Sequence, residues 1–320
     1  HTHTHTHTHT HTHTHTHPGL VHRAMRGNTA LHAAVKYQRL DCLRLLLKQE
    51  GCNPNILGRD GKTALHLAAV EGHLEILKLL IEEKKGIVID AFDNEKCTPF
   101  LAACEGGVKE CVQYLLERAG ARFGAVDREK RNAFHRAAGS TGKGSGCVQV
   151  LKYLLEVRRQ RQQGEESKRV DGVGKGTRKQ KDKEKERETE REKNNLRDSP
   201  GVPHKLPDLD SRTSVGDTVL HCAIKAGCTE CVRVLLDEGM DIHMDAKSAK
   251  GEKVSCLHLA ALCDLPEIAK ILIKAGADIM AQGPGGLTPL QWAEKRYNYN
   301  VHFLSLLSLS LSLSLSLSLS

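Results

Sequence analysis

The stretch HCAIKAGCTECVRVLL, residues 221–236, sets His221 beside Cys222 and follows them with a C-x-x-C pair, Cys228 and Cys231. Two thiolates two residues apart can clamp one tetrahedral metal ion, and His221 with Cys222 could complete its shell; the same spacing serves thiol redox chemistry. A second stretch, GSTGKGSG at 139–146, invites a phosphate-loop reading. It fails G-x-x-x-x-G-K-[ST], because Ala137 stands where the first Gly belongs and Gly144 where the Ser or Thr belongs. GVGKGT at 172–177 fails on similar grounds, with no strand or apolar helix beside it. The chain opens with nine His alternating with Thr up to His17, which in an extended backbone fall on one side and could hold a metal loosely. Nowhere does a nucleophile stand with a base, and there is no H-E-x-x-H, so no catalytic residue and no cofactor are expected.

Register decides what the cysteines are. Seven segments share one signature: TALHAA at 29, TALHLA at 63, TPFLAA at 98, NAFHRA at 132, TVLHCA at 218, SCLHLA at 255 and TPLQWA at 288. Thirteen residues after the Thr or Ser comes the position that starts an apolar stripe: Cys42, Ile76, Cys111, Cys231, Ile268 and Val301. Behind it run LRLLL, LKLLI, VQYLL, VRVLL and AKILI, apolar at helical i, i+3 and i+4 spacing. Gly72, Gly107 and Gly227 fall between the paired helices, where a positive φ is expected. Each helix spans two or three turns and could not stand alone in water, so stacking must stabilise it. The fourth unit is longer: Val150 takes the stripe position, eighteen residues after Asn132, which makes room for a loop of about five extra residues.

These units resemble the ankyrin repeat, about 33 residues with a T-P-L-H-x-A signature, folded as a β-turn and two antiparallel helices. The resemblance covers residues 20–157 as repeats one to four and 214–305 as repeats five to seven, the last degenerate. It implies an all-α repeat solenoid of stacked helix-turn-helix units with β-hairpin loops. The Thr is a natural N-cap, with Pro99 or Pro289 at the first helical position. His32, His66, His135, His221 and His258 occupy one slot, and the resemblance makes them structural, bonding across the turn to the next repeat. Leu101 and Gln291 fill that slot elsewhere, against any shared chemistry. In this register Cys222 matches Leu67, Cys228 matches His73 and Cys231 matches Ile76, so Cys231 reads as a small apolar core residue, Cys228 as the more solvent-exposed thiol, and no metal is expected.

Between the two blocks, residues 158–213 carry the charge. From 158 to 212 there are 17 Lys or Arg against 12 Asp or Glu, +5 of the chain's +8, so the repeats are close to neutral. KDKEKERETEREK at 181–193 has no apolar residue, which reads as a disordered insertion. RRQR at 158–161 and TRKQKDK at 177–183 could form a basic patch, but with no interleaved aromatic to stack bases no specific nucleic-acid recognition is expected. Residues 1–19 and the Leu-Ser alternation of 306–320 read as low-complexity tails, the products of CA and CT dinucleotide repeats, and with His at position 1 the natural start is expected elsewhere. Half of the Leu-Ser tail is Ser, a poor composition for a bilayer span, so no membrane association is expected. Eleven Cys with no signal segment suggest reduced thiols in the cytoplasm or nucleus.

A solenoid of this kind offers its hairpin tips and the solvent side of its first helices, which together line a groove. The resemblance implies that proteins bind there to a monomeric, non-catalytic scaffold or adaptor, or to the regulatory arm of a larger kinase, ubiquitin ligase or acyltransferase whose catalytic part lies outside these residues. Carried over, the tip contacts are Arg59, Lys62, Lys96 and Arg128. The groove contacts are Lys36, Tyr37, Val70, Glu71, Glu105, Arg136, Lys225 and Leu262, with Tyr37 and Leu262 favoured because they are the least expected on a bare surface.

Overall fold

The computed structural model describes residues 27–83, 86–140, 145–172, 206–247, 251 and 253–295. Helices come in antiparallel pairs: α1 (Ala30–Lys36) with α2 (Leu40–Lys48), α3 (Ala64–Glu71) with α4 (Leu74–Glu83), α5 (Pro99–Gly106) with α6 (Lys109–Glu117), and α7 (Ala133–Ala138) with α8 (Ser145–Gly172). Beyond the break follow α9 (Val219–Lys225) with α10 (Thr229–Asp237), α11 (Cys256–Leu262) with α12 (Pro266–Lys274), and α13 (Pro289–Lys295). First helices pack on first helices in one row, and second helices on second helices in another. Between the rows lies one continuous apolar core of Leu, Ala, Val, Ile and Cys, with Phe100, Phe123 and Phe134 its largest fully buried side chains.

The first helices of repeats one, two, four and five start through a reciprocal cap, whereas Thr98 and Ser255 cap α5 and α11 from the side chain alone. Thr63 Oγ1 accepts from the His66 amide, while the Thr63 amide donates to His66 Nδ1 at 3.2 Å; Asn132 and His135 repeat the exchange. This satisfies two of the amides that every helix start leaves over. Turns between paired helices take up left-handed backbone at Gly72, Gly107 and Gly227, with φ of 77°, 71° and 69°.

The tips are tight turns, and among the described residues only the sixth repeat's tip forms a ladder, β1 (Ala246–Lys247) against β2 (Lys253–Val254). Two residues before the capping residue, in every repeat but the sixth, the chain is again left-handed: Gly27, Gly61, Gly216 and Gly286 adopt it freely, whereas Lys96 and Lys130 do so at φ of 56° and 59°. Tips are laced to one another by the Asn94 amide to the Asp60 carbonyl at 3.1 Å and the Arg128 amide to the Glu95 carbonyl at 2.8 Å.

The lacing continues across the break, where the Ser214 amide donates to the Glu129 carbonyl at 2.8 Å. Asn132 Nδ2 donates to the Asp208 carbonyl and to Ser211 Oγ, both at 2.9 Å, and Leu209 and Thr213 are buried. Repeats four and five therefore stack as neighbours, and α7 packs on α9 as α8 packs on α10.

Packed structure reaches further into the charged segment than its composition suggests. Helix α8 runs on to Gly172, with Arg159 paired to Glu238 of the fifth repeat and the Arg161 guanidinium 5.1 Å from the centre of the Phe123 ring. RRQR is thus spent largely on the protein's own surface. The runs at 177–183 and 181–193, both low-complexity tails and Val301 lie outside the described residues.

One stripe position departs from expectation. Cys42 is exposed and Leu45 beside it is 63% exposed, although Ile76 and Leu79, their counterparts in the next repeat, are buried. That face of a second helix is covered by the preceding repeat, and among the described residues none precedes the first.

Candidate functional site

The groove side of the array is floored by the capping histidines. His32 Nε2 lies 3.0 Å from the Lys62 carbonyl, His66 Nε2 3.0 Å from that of Cys97, and His258 Nε2 3.0 Å from that of Leu287. Nδ1 meets the cap amide in His32 and His66 and the Ser255 hydroxyl in His258, and Nε2 meets the following repeat, so both ring nitrogens are spoken for in the neutral form. His221 Nε2 instead sits 3.8 Å from Cys256 Sγ, and His135 Nε2 is buried with no hydrogen-bond partner among the described residues. Burial pulls His66, His135 and His258 below the ordinary histidine value and takes His221 down to about 4.

At the centre of the groove a cavity of about 230 Å³ opens between repeats three and five, lined among others by Glu105, Arg131, Arg136, Asp217, Cys222 and Lys225. Its polar wall is a network anchored on buried Asp127, whose Oδ2 accepts from Arg131 Nε at 2.8 Å and from Arg136 at 2.9 and 2.6 Å. Arg136 also reaches Glu105 of the third repeat at 2.5 Å, and Lys225 reaches Asp217 at 2.5 Å. Burial alone would raise the Asp127 carboxyl, but the Arg131 and Arg136 contacts outweigh it and hold the group below the usual carboxylate range. Replacing Asp127 by Asn should cost about 1–3 kcal/mol, because Arg136, with 10% of its side chain exposed, keeps its burial and loses one of its two carboxylate partners. Urea unfolding checks this, and an unchanged midpoint would count against the network.

Among the residues expected to contact a partner, Lys36, Tyr37, Arg59, Glu71, Lys96, Glu105, Arg128 and Lys225 are exposed. Tyr37, 64% exposed with Lys36 Nζ 5.6 Å from its ring centre, stands at the groove's first end. Lys62, Val70 and Leu262 are half-buried, and the Leu262 side chain packs against the core, since it lies on the edge of α11 that turns inward. Arg136 differs most: it is an internal tie between repeats three and four. Its sequence position is the same whether it faces water or Asp127. The Asp127 partner, nine residues earlier, was the missing signal.

A second constellation lies on the opposite row. The additional residues of the fourth repeat lengthen α8 by one turn at its start, and this turn carries Cys147, buried ahead of Val150. Gly146 seats the turn: a Cβ there would fall 2.4 Å from the Gly107 carbonyl oxygen. Cys147 Sγ is thereby placed 3.7 Å from Cys228 Sγ and 3.7 Å from Cys231 Sγ, and all three sulfurs lie within 4.8 Å of one another. Cys228 is the N-cap of α10, accepting from the Cys231 amide at 3.4 Å, and is half-buried. Hydrogen bonds from Cys231 draw the Cys228 thiol down to about 6, while the contact with Cys228 and burial push Cys231 up, and burial pushes Cys147 up. The other half of the motif does not join them. His221 and Cys222 sit on α9, His221 turned to the sixth repeat and Cys222 to the groove. Sequence could not have supplied Cys147, which lies 81 residues before Cys228.

Comparison with known proteins agrees with this architecture. A family model of ankyrin repeats matches three times, over residues 8–93, 87–163 and 200–283. Rat diacylglycerol kinase zeta is 40% identical over 88 residues, 28% of this chain and 9% of the kinase. The Drosophila melanogaster E3 ubiquitin-protein ligase Ufd4 is 38% identical over 89 residues, 28% of this chain and 3% of the ligase. Among solved structures, the human ASB11 ankyrin repeat domain superposes with a TM-score of 0.56 at 22% identity, covering 88% of this chain and 98% of that domain. No helix among the described residues is long and apolar enough to cross a membrane.

Proposed function

Because the chain belongs to the ankyrin-repeat family, we propose that it is a non-catalytic scaffold or adaptor that holds a partner protein in its groove and against its hairpin tips. The supporting observation is the continuity of the binding face: tips laced from Asp60 to Asn94, Glu95 to Arg128 and Glu129 to Ser214 keep one register through the break. Tips already tied to one another by backbone bonds have less ordering entropy to lose on association. Its chemistry is mixed. Tyr37 and, at the tips, Phe92, Val126 and Val215 offer exposed apolar side chains between Arg59, Lys96 and Arg128. An extended or helical segment with apolar anchors and acidic flanks suits that pattern. The cytoplasm or nucleus is the compartment in which such a scaffold would work.

Full-length protein used as bait, beside its Tyr37→Ala and its Lys96→Glu/Arg128→Glu variants, tests the placement. A partner lost by at least tenfold in both variants supports it, and retention of every partner by both would place the binding face elsewhere. A second reading, a regulatory arm of a larger enzyme, draws on the two enzymes among the relatives, of which this chain spans 9% and 3%. A full-length transcript with a catalytic domain beside the array would favour it over the adaptor.

A further inference from the structure

We propose that Cys147, Cys228 and Cys231 form a three-thiolate site for a soft divalent cation of the zinc class, which clamps the fourth repeat to the fifth. In a tetrahedral site with sulfur about 2.3 Å from the metal, neighbouring sulfurs stand ~3.8 Å apart. Two of the three separations here are 3.7 Å, so a cation needs almost no rearrangement of the thiols. A disulfide would require two of the sulfurs to approach to about 2.05 Å.

The ligands come from rigid places. Cys228 and Cys231 span the first turn of α10, and Cys147 is fixed by the close seating of Gly146 on Gly107. Ile76 and Cys111 occupy the matching stripe position in the second and third repeats, and among the described residues neither belongs to a group of three possible metal ligands. Only the extra turn of α8 creates the cluster. On binding, each S–H bond is replaced by a sulfur–metal bond, and three protons pass to solvent. The resulting tris-thiolate zinc centre carries one net negative charge, which the N-terminal end of α10 stabilises. Among the described residues no fourth ligand stands within range. Cys228 is half-buried, so water or a small thiol from solvent can complete the shell.

The test uses the reduced full chain titrated with Cd²⁺, read by the ultraviolet sulfur-to-cadmium charge-transfer band. Imidazole gives no such band, so the histidines of residues 1–17 do not contribute. Wild-type protein and a Cys42→Ser control should saturate at one equivalent, while Cys147→Ser and Cys228→Ser should lose most of the band and at least tenfold in affinity. Cadmium should also raise the thermal midpoint of wild type and leave that of Cys147→Ser unmoved, as expected of a ligand that binds only the folded junction. Cys228→Ser, at a half-exposed position, guards against a folding defect at buried Cys147. No band at one equivalent in the reduced wild type, or an equal band in Cys147→Ser, would overturn the proposal.

Discussion

Lowering the pH from 6.5 towards 4 should remove several kcal/mol of stability, with His221 alone accounting for about 3 kcal/mol. The sign follows from where the proton goes first. In the unfolded chain these histidines take up a proton near 6.5, whereas in the folded array burial holds His66, His135 and His258 lower and His221 at about 4. The unfolded state therefore binds more protons through this window, so stability is full above 6.5 and falls as the pH drops towards the folded values. Nδ1 already faces a cap amide and hydroxyl, Thr218 Oγ1 lying 2.7 Å away in His221, so a second ring proton would break the cap as well as charge the core. Urea midpoints measured between pH 7 and 4.5 check the slope. His221→Gln should flatten it, since Gln291 in the seventh repeat shows that an amide can take the same bond, its Oε1 accepting from the Thr288 amide at 3.0 Å. A slope unchanged by that variant would assign the acid sensitivity to other groups.

Phe123→Ala should cost about 3–5 kcal/mol. Phe100, Phe123 and Phe134 are fully buried, their rings set edge-on or tilted at centroid separations of 6.2 and 6.1 Å. The chain has five Phe in all, so this trio supplies much of the large side-chain volume in the core. Small aliphatic neighbours cannot swell into the space a ring leaves. The loss also strips the Arg161 guanidinium of the ring it lies over, which should loosen the extension of α8 from repeat four. Thermal and urea unfolding give the first effect. Faster amide exchange in α8 reports the second, and unchanged exchange there would show that α8 is held by Arg159 and Glu238 instead.

The repeats, their caps and their left-handed turns were legible because each is local: a Thr at the cap, a His three residues on, a Gly where φ must be positive. Cys231 in the stripe could be read in the same way. What was not legible depends on distance along the chain or on the end of the array. Cys42 has the sequence environment of Ile76 and lacks only a neighbour to bury it. Arg136 looks like a groove residue until Asp127 is placed beneath it. Helix α8 outruns its apolar pattern because Glu238 and Phe123 lie beside its charged face. Cys147 belongs to an insertion whose length was readable but whose effect, one more helical turn, was not.

The junction between the fourth and fifth repeats has a further meaning. Its bonds, from Ser214 to Glu129, from Asn132 to Asp208 and from Arg159 to Glu238, join two surfaces that the intervening residues do not themselves make. In effect the chain is a heterodimer written as one polypeptide. Because both halves belong to one chain, each meets the other at an effective concentration that two separate chains would not reach.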